Sequence, residues 1–128
     1  MPLIDTSAWI EFLRDTGSPA CEQVTTAIRA EDATLTDPVL LELMSGARPQ
    51  DHDRLLRFLN EQDYAPVAPR ADWIDAAEIH AGCRRSGITV RSQLDCLVAA
   101  VAIRLDADLV HHDRDFDAIA RVTALHIA

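Results

Sequence analysis

The sequence predicts an α/β fold: a single domain over residues 1–128, with a mostly parallel central sheet flanked by helices. Three observations predict it. Short apolar runs alternate with helical patterns from end to end, and no repeat, linker or low-complexity segment interrupts them. Strands that alternate with helices pair in parallel and are covered on both faces. At 128 residues, 48% of them hydrophobic, the chain can bury one core.

The elements follow in order. "PLID" at 2–5 reads as a first strand, and a helix runs from about Ser7 to Leu13. In "GSPACEQVTTAIRA", Ser18 is an N-cap and Pro19 takes the first helical position; Cys21, Val24, Ala27 and Ile28 share one helical face. "ATLT" at 33–36 is a second strand. In "DPVLLELMSG", Asp37 is expected to cap a helix, with Pro38 first and Gly46 just past its end. Residues 49–61 form an amphipathic helix through Leu55, Leu56 and Leu59, and "YAPVA" at 64–68 is a weaker strand. A helix over 71–86 is closed by Gly87, and Ser92 caps a strongly apolar helix over 93–106. "DLVH" at 108–111 is a strand, 115–121 a short helix, and "TALHI" at 123–127 the last strand.

Bulk properties exclude several classes. The longest uncharged apolar run is the eight residues Cys96–Ile103, while a membrane span needs about 18, so no membrane association is expected. The start, "MPLIDTSAW", has neither the basic nor the long apolar segment of a signal peptide. Cys21, Cys83 and Cys96 are widely spaced, odd in number and on apolar helical positions, which fits reduced core residues of a cytoplasmic protein. The net charge of −9 argues against a general nucleic-acid binder, but not against a nucleic-acid enzyme whose acids gather at one metal site. Two divalent cations would bring it to −5. All 12 basic residues are Arg; Lys is absent.

Four acids map to one edge of the sheet. Asp5 directly follows Leu3 and Ile4, and Asp113 follows the 108–111 strand with one residue between. Glu42 lies about one turn into the helix after the second strand, and Asp95 three residues after Ser92. In such sheets sites form beyond the carboxyl ends of strands, and helix amino ends favour carboxylates. Plainer roles stay open: Asp5 as a helix cap, Asp95 in the capping box "SQLD" with Ser92, Asp113, Asp115 and Asp117 as solvated loop acids. Glu42 resists such an account. It sits within "VLLELM", apolar on both sides, and a buried carboxylate needs a partner that no Lys can supply. A shared hard cation such as Mg²⁺ or Mn²⁺, which prefers oxygen ligands, would serve all four. His111 and His112 are adjacent on a strand and point to opposite faces, so they do not readily share one ion. His52, His80 and His126 show no metal spacing, which disfavours zinc.

With "LIDTSAWI" at 3–10, "LLELMSG" at 40–46, "GITVRSQLDCLVAAVAI" at 87–103 and "LVHHDRDFDAIA" at 109–120, the chain resembles the PIN-domain ribonucleases, most closely the VapC toxins of bacterial toxin–antitoxin pairs. The motifs occur in order and nearly span the chain. The resemblance implies a PIN domain over 1–128 and a metal site of Asp5, Glu42, Asp95 and Asp113, with Asp115 as a fifth acid. It places the hydroxyls of Thr6 and Ser7 near that site. In "HHDRDF", Asp113 faces the metal pocket, Phe116 anchors the loop to the core, and Asp117 is a surface or capping residue.

The implied function is a Mg²⁺- or Mn²⁺-dependent endoribonuclease that hydrolyses RNA phosphodiester bonds as the toxin of such a pair. The implied partners are an RNA substrate, a VapB-like antitoxin that covers the acidic pocket, and a second copy in a homodimer. Arg84, Arg85 and Arg91 flank the Asp95 helix and Arg114 flanks Asp113; these are candidate RNA contacts, with Arg48, Arg54 and Arg57 placed less directly. Two rivals lack required residues. A receiver domain needs a Lys, and a haloacid-dehalogenase-type phosphatase needs a second Asp where Ser7 stands. A non-catalytic module that binds a basic peptide in its acidic pocket, and a DNA-directed nuclease of the same fold, remain the alternatives.

Overall fold

A computed structural model describes residues 1–128. Its sheet has five strands: β1 (Leu3–Ile4), β2 (Thr34–Leu35), β3 (Asp63–Tyr64), β4 (Asp108–Val110) and β5 (His126–Ile127). They lie in the order β3-β2-β1-β4-β5, and every pair is parallel. The chain winds outward from β1 through β2 to β3, then restarts on the other side of β1 with β4 and β5. The order therefore reverses between β1 and β4, the place where open α/β sheets leave a crevice beyond their carboxyl ends. Leu3 lies opposite Leu109 and Ile4 opposite Val110, all four buried. The Asp5 amide extends this ladder by donating to the Val110 carbonyl at 3.0 Å.

Seven helices cover the sheet: α1 (Thr6–Leu13), α2 (Pro19–Arg29), α3 (Asp37–Gly46), α4 (His52–Asn60), α5 (Ala71–Arg85), α6 (Gln93–Leu105) and α7 (Arg114–Ala120). A single 3₁₀ turn, Pro49–Asp51, leads into α4. Helix α6 is the most deeply set. Residues Cys96 to Ala102 are all buried, and its small residues at 99, 100 and 102 let neighbours approach closely. Asp72 of α5, fully buried, accepts from Arg104 Nε at 2.9 Å and Nη2 at 2.9 Å, so α5 and α6 are tied by a charged pair as well as by packing. Trp9, Phe12 and Phe58 form an aromatic cluster that joins α1 to α4, with ring centroids 5.9–6.2 Å apart.

Some boundaries differ from those expected. Strand β3 ends at Tyr64 because Pro66 and Pro69 carry no N–H for the ladder. Strand β5 begins only at His126, since Thr123 closes α7: its hydroxyl donates to the Ile119 carbonyl at 2.9 Å and accepts from the Leu125 amide at 3.2 Å. Asp37 is the first residue of α3 rather than its cap, and Gly46 is its last. The Asp37 carboxylate is drawn sideways instead, accepting from the Val67 amide at 2.8 Å and from the Tyr64 hydroxyl. Ser18 caps α2 as expected, by accepting from the Cys21 amide at 3.1 Å. No helix is long and apolar enough to cross a membrane.

Candidate metal centre

Because β1 and β4 are adjacent, Asp5 and Asp113 leave the sheet side by side at the crevice. Each also caps the helix it precedes: Asp5 Oδ2 accepts from the Ser7 amide at 3.0 Å, and Asp113 Oδ1 from the Asp115 amide at 3.0 Å. Capping and site membership are compatible, since a cap uses one oxygen and leaves the other free. Glu42 reaches the same region from α3, Asp95 from the first turn of α6, and Asp115 from the first turn of α7.

The protein holds these carboxylates in a consistent way. Asp5 Oδ2 is bound by the amide and hydroxyl of Ser7, the latter at 2.7 Å. Glu42 Oε1 accepts from the Thr6 hydroxyl at 2.8 Å. Asp113 Oδ1 and Asp115 Oδ2 are each held by Arg91, at 2.9 and 3.0 Å. In all four residues one oxygen is anchored and the other has no hydrogen bond. Asp5 Oδ1 is fully buried without a partner. Burying an unpaired carboxylate oxygen is costly, and a cation ligand removes that cost. An all-oxygen donor set of this kind suits a hard divalent cation.

Asp95 differs: it accepts no side-chain or backbone hydrogen bond. The capping box left open for "SQLD" does not form, because Ser92 Oγ accepts from the Leu94 amide and the Asp95 carboxylate turns into the crevice. Burial pushes the Asp95 carboxyl up to about 7, aided by the negative charges of Asp5, Asp113, Glu42 and Asp115. The other four acids thus all act on this one. Burial also raises Asp5, against the Ser7 hydrogen bonds, which lower it. Oxygens of Asp95, Asp113 and Asp115 lie within 4.8 Å of one another, close enough for one ion.

The remaining residues singled out from sequence separate into two groups. Thr6 and Ser7 are at the site, but their hydroxyl donors are spent on Glu42 and Asp5. Arg91 is at the site, paired with two of the acids. Arg114 opens α7 beside Asp113, exposed and unpaired. Arg84 and Arg85 are exposed in the last turn of α5 and bond to none of the acids. His111 stacks on Phe116 with ring centroids 5.3 Å apart; its Nδ1 accepts the Asp113 amide and its Nε2 faces Asp117 at 3.2 Å. Phe116 is fully buried, which anchors the loop. A groove of about 860 Å³, floored by Ile10, Phe12, Leu55 and Phe58 and edged by Arg14, Arg48 and Arg54, opens beside Glu42. Sequence reasoning missed this groove and Arg14, whose convergence depends on the α1–α4 packing.

Comparison with known proteins identifies relatives of this fold. The PIN domain family matches residues 3–122. Ribonuclease VapC11 of Mycobacterium tuberculosis and a VapC ribonuclease of Mycobacterium bovis are each 45% identical over 131 aligned positions, covering 100% of this chain and 98% of theirs. Among solved structures, VapBC2 from Rickettsia felis, bound to a promoter DNA fragment, superposes with a TM-score of 0.75 at 18% identity, covering 99% of this chain and 96% of that one. FitAcB from Neisseria gonorrhoeae gives 0.70 at 20% identity, with the same coverage. The fold, the four sequence motifs and the full-length relatives together show that this chain belongs to the PIN-domain family, in its VapC ribonuclease branch.

Proposed function

We propose that this chain is the toxin of a toxin–antitoxin pair, an endoribonuclease that depends on Mg²⁺ or Mn²⁺ and whose PIN domain comprises residues 1–128. The observation that carries the reading is the convergence of five carboxylates at the β1–β4 switch point, with Asp5 Oδ1 buried and unpartnered. Asp5, Glu42, Asp95 and Asp113 are the catalytic acids and hold the cation, with Asp115 as a further ligand. When bound, a divalent ion lowers the pKa of a water and offsets charge on the leaving oxygen of a phosphodiester. Thr6 and Ser7 border the substrate position and act on it through Glu42 and Asp5, whose anchored oxygens they fix. Arg91 and Arg114 face the phosphates nearest the acids, and Arg84 and Arg85 meet the strand farther out.

Partners follow from the same reading. Among the structural neighbours are VapBC2 from Rickettsia felis, VapBC from Salmonella typhimurium and a toxin–antitoxin complex from Klebsiella pneumoniae. A VapB-like antitoxin is accordingly proposed for this chain, as is a homodimer. The groove beside Glu42 suits an antitoxin segment, since its floor is apolar and its rim carries charge of both signs in Arg14, Arg48, Arg54 and Asp51. The working place is the cytoplasm, where three buried, unpaired cysteines stay reduced.

The test is to map RNA ends in total cellular RNA after brief induction. New 5′-phosphate and 3′-hydroxyl ends at discrete positions are expected, and none when Asp113→Asn is induced. RNA left intact while DNA is nicked would favour a DNA-directed nuclease. Intact nucleic acids with tight binding of a basic peptide would favour the non-catalytic module.

A further inference from the structure

Arg91 is the only cationic group paired with any of the five acids. Its Nη2 lies 2.9 Å from Asp113 Oδ1 and its Nε 3.0 Å from Asp115 Oδ2. Its side chain is nevertheless 64% exposed, and Nη1 makes no hydrogen bond. The guanidinium therefore sits at the mouth of the pocket, two of its nitrogens turned inward.

The side chain is not alone in orienting these acids. Asp113 Oδ1 also accepts the Asp115 amide at 3.0 Å, and Asp115 Oδ2 also accepts the Arg91 backbone amide at 3.2 Å. Without the guanidinium, each carboxylate keeps a backbone donor. What the guanidinium contributes is charge. Five carboxylates in one crevice repel each other, and one fixed cation at their rim offsets part of that repulsion. A divalent ion on Asp113 and Asp115 would do the same, more strongly, and would itself be repelled by a guanidinium within a few ångströms.

We propose that Arg91 is an internal counter-cation that competes with the divalent ion for Asp113 and Asp115, and that its guanidinium, once displaced, binds an RNA phosphate. The proposal rests on the metal-dependent ribonuclease reading. The displaced group has room to move, because most of it is already in solvent. Its planar donor fork matches a phosphate as well as it matches two carboxylates. Ion loading and the grip on RNA would then be linked through one side chain.

The test is calorimetric titration of Mn²⁺ into wild type, Arg91→Gln and Arg91→Lys, with melting curves confirming that all three are folded. Anisotropy of a fluorescein-labelled oligouridine, measured with saturating Ca²⁺, reports RNA binding. Arg91→Gln should bind Mn²⁺ about fivefold tighter, a modest factor because the ion pair is solvent-facing. It should bind oligouridine more weakly, with a salt dependence shallower by about 0.7, the value for one phosphate contact on a single strand. Arg91→Lys should stay near wild type for Mn²⁺. Equal or weaker Mn²⁺ binding by Arg91→Gln would overturn the competition, and unchanged oligouridine binding would overturn the phosphate role. A wild type that takes up no Mn²⁺ would overturn the ribonuclease reading and this proposal together, whereas wild-type binding matched by Arg91→Gln overturns this proposal alone.

Discussion

The Ser7 hydroxyl donates to Asp5 Oδ2 at 2.7 Å and accepts the His112 amide at 2.9 Å, so one oxygen joins the end of β1 to the loop after β4. Ser7→Ala removes both bonds and leaves the backbone amide of residue 7 to hold the Asp5 carboxylate. The expected cost to the fold is about 2 kcal/mol, the usual net worth of two such bonds. The larger effect should be on the site: roughly tenfold slower cleavage at limiting Mn²⁺, largely recovered at saturation. Cleavage rate against Mn²⁺ concentration checks this, and a curve that overlays wild type would contradict it.

The pH dependence of stability should carry the sign set by Asp95. Its carboxyl is near 3.8 when solvated and about 7 when folded, so between these values the folded state binds more protons. Its contribution to stability is therefore greatest at low pH and is lost as pH rises through about 7. Asp5, raised by burial, acts in the same direction. Asp95→Asn should reduce this slope and, at pH 8 without divalent ions, stabilise the protein by ~1.4 kcal/mol or more, the equivalent of one pKa unit. Urea unfolding at pH 5 and pH 8 measures it. A variant less stable than wild type at pH 8 would show that Asp95 has a stabilising partner.

The three loop acids should separate. Asp113→Asn should abolish cleavage. Asp115→Asn should weaken Mn²⁺ binding more than the rate at saturation. Asp117→Asn should stay within a few-fold of wild type, because Asp117 is exposed and faces His111 rather than the crevice. Single-turnover rates of the three variants test the order; equal losses at Asp113 and Asp117 would contradict the orientation of this loop.

Mn²⁺ should raise the melting temperature, because a ligand of the folded state alone stabilises it by about 2.7 kcal/mol at a hundredfold excess over its dissociation constant. Mn²⁺ should act at lower concentration than Mg²⁺. The Asp5→Asn, Asp95→Asn double variant should melt higher than wild type without ions and gain nothing from them. A wild-type melting curve indifferent to millimolar Mn²⁺ would contradict the cation site.

Asp5 and Asp113 were legible because each follows a short apolar strand, Asp5 at once and Asp113 after two histidines, and a parallel sheet sends such residues to one edge. Glu42 was legible because apolar neighbours left its charge without an account. Asp95 was ambiguous: "SQLD" fits a capping box, and only the packing of α6 turns its carboxylate into the crevice rather than toward Ser92. Arg91 illustrates what spacing does not record. Its partners lie 22 and 24 residues away, across the whole of α6 and β4, and meet it only because the segment after α5 folds back onto the start of α7. Arg84 and Arg85, near the Asp95 helix in sequence, point from the end of α5 into solvent. The edge strands β3 and β5 are shorter than their apolar runs suggest, since proline's missing N–H ends one and side-chain capping by Thr123 delays the other, neither of which the alternation of apolar residues reports.

The central claim is that the Asp5, Glu42, Asp95 and Asp113 carboxylates form a cation-dependent ribonuclease centre. The most direct test is single-turnover cleavage of a cellular RNA pool by the purified protein, with Mn²⁺, with EDTA, and by the Asp5→Asn variant with Mn²⁺. Loss of at least a hundredfold is expected both with EDTA and in Asp5→Asn, the range for removing one element of an electrostatic active site. Cleavage by Asp5→Asn at the wild-type rate, or by wild type in EDTA, would contradict the account.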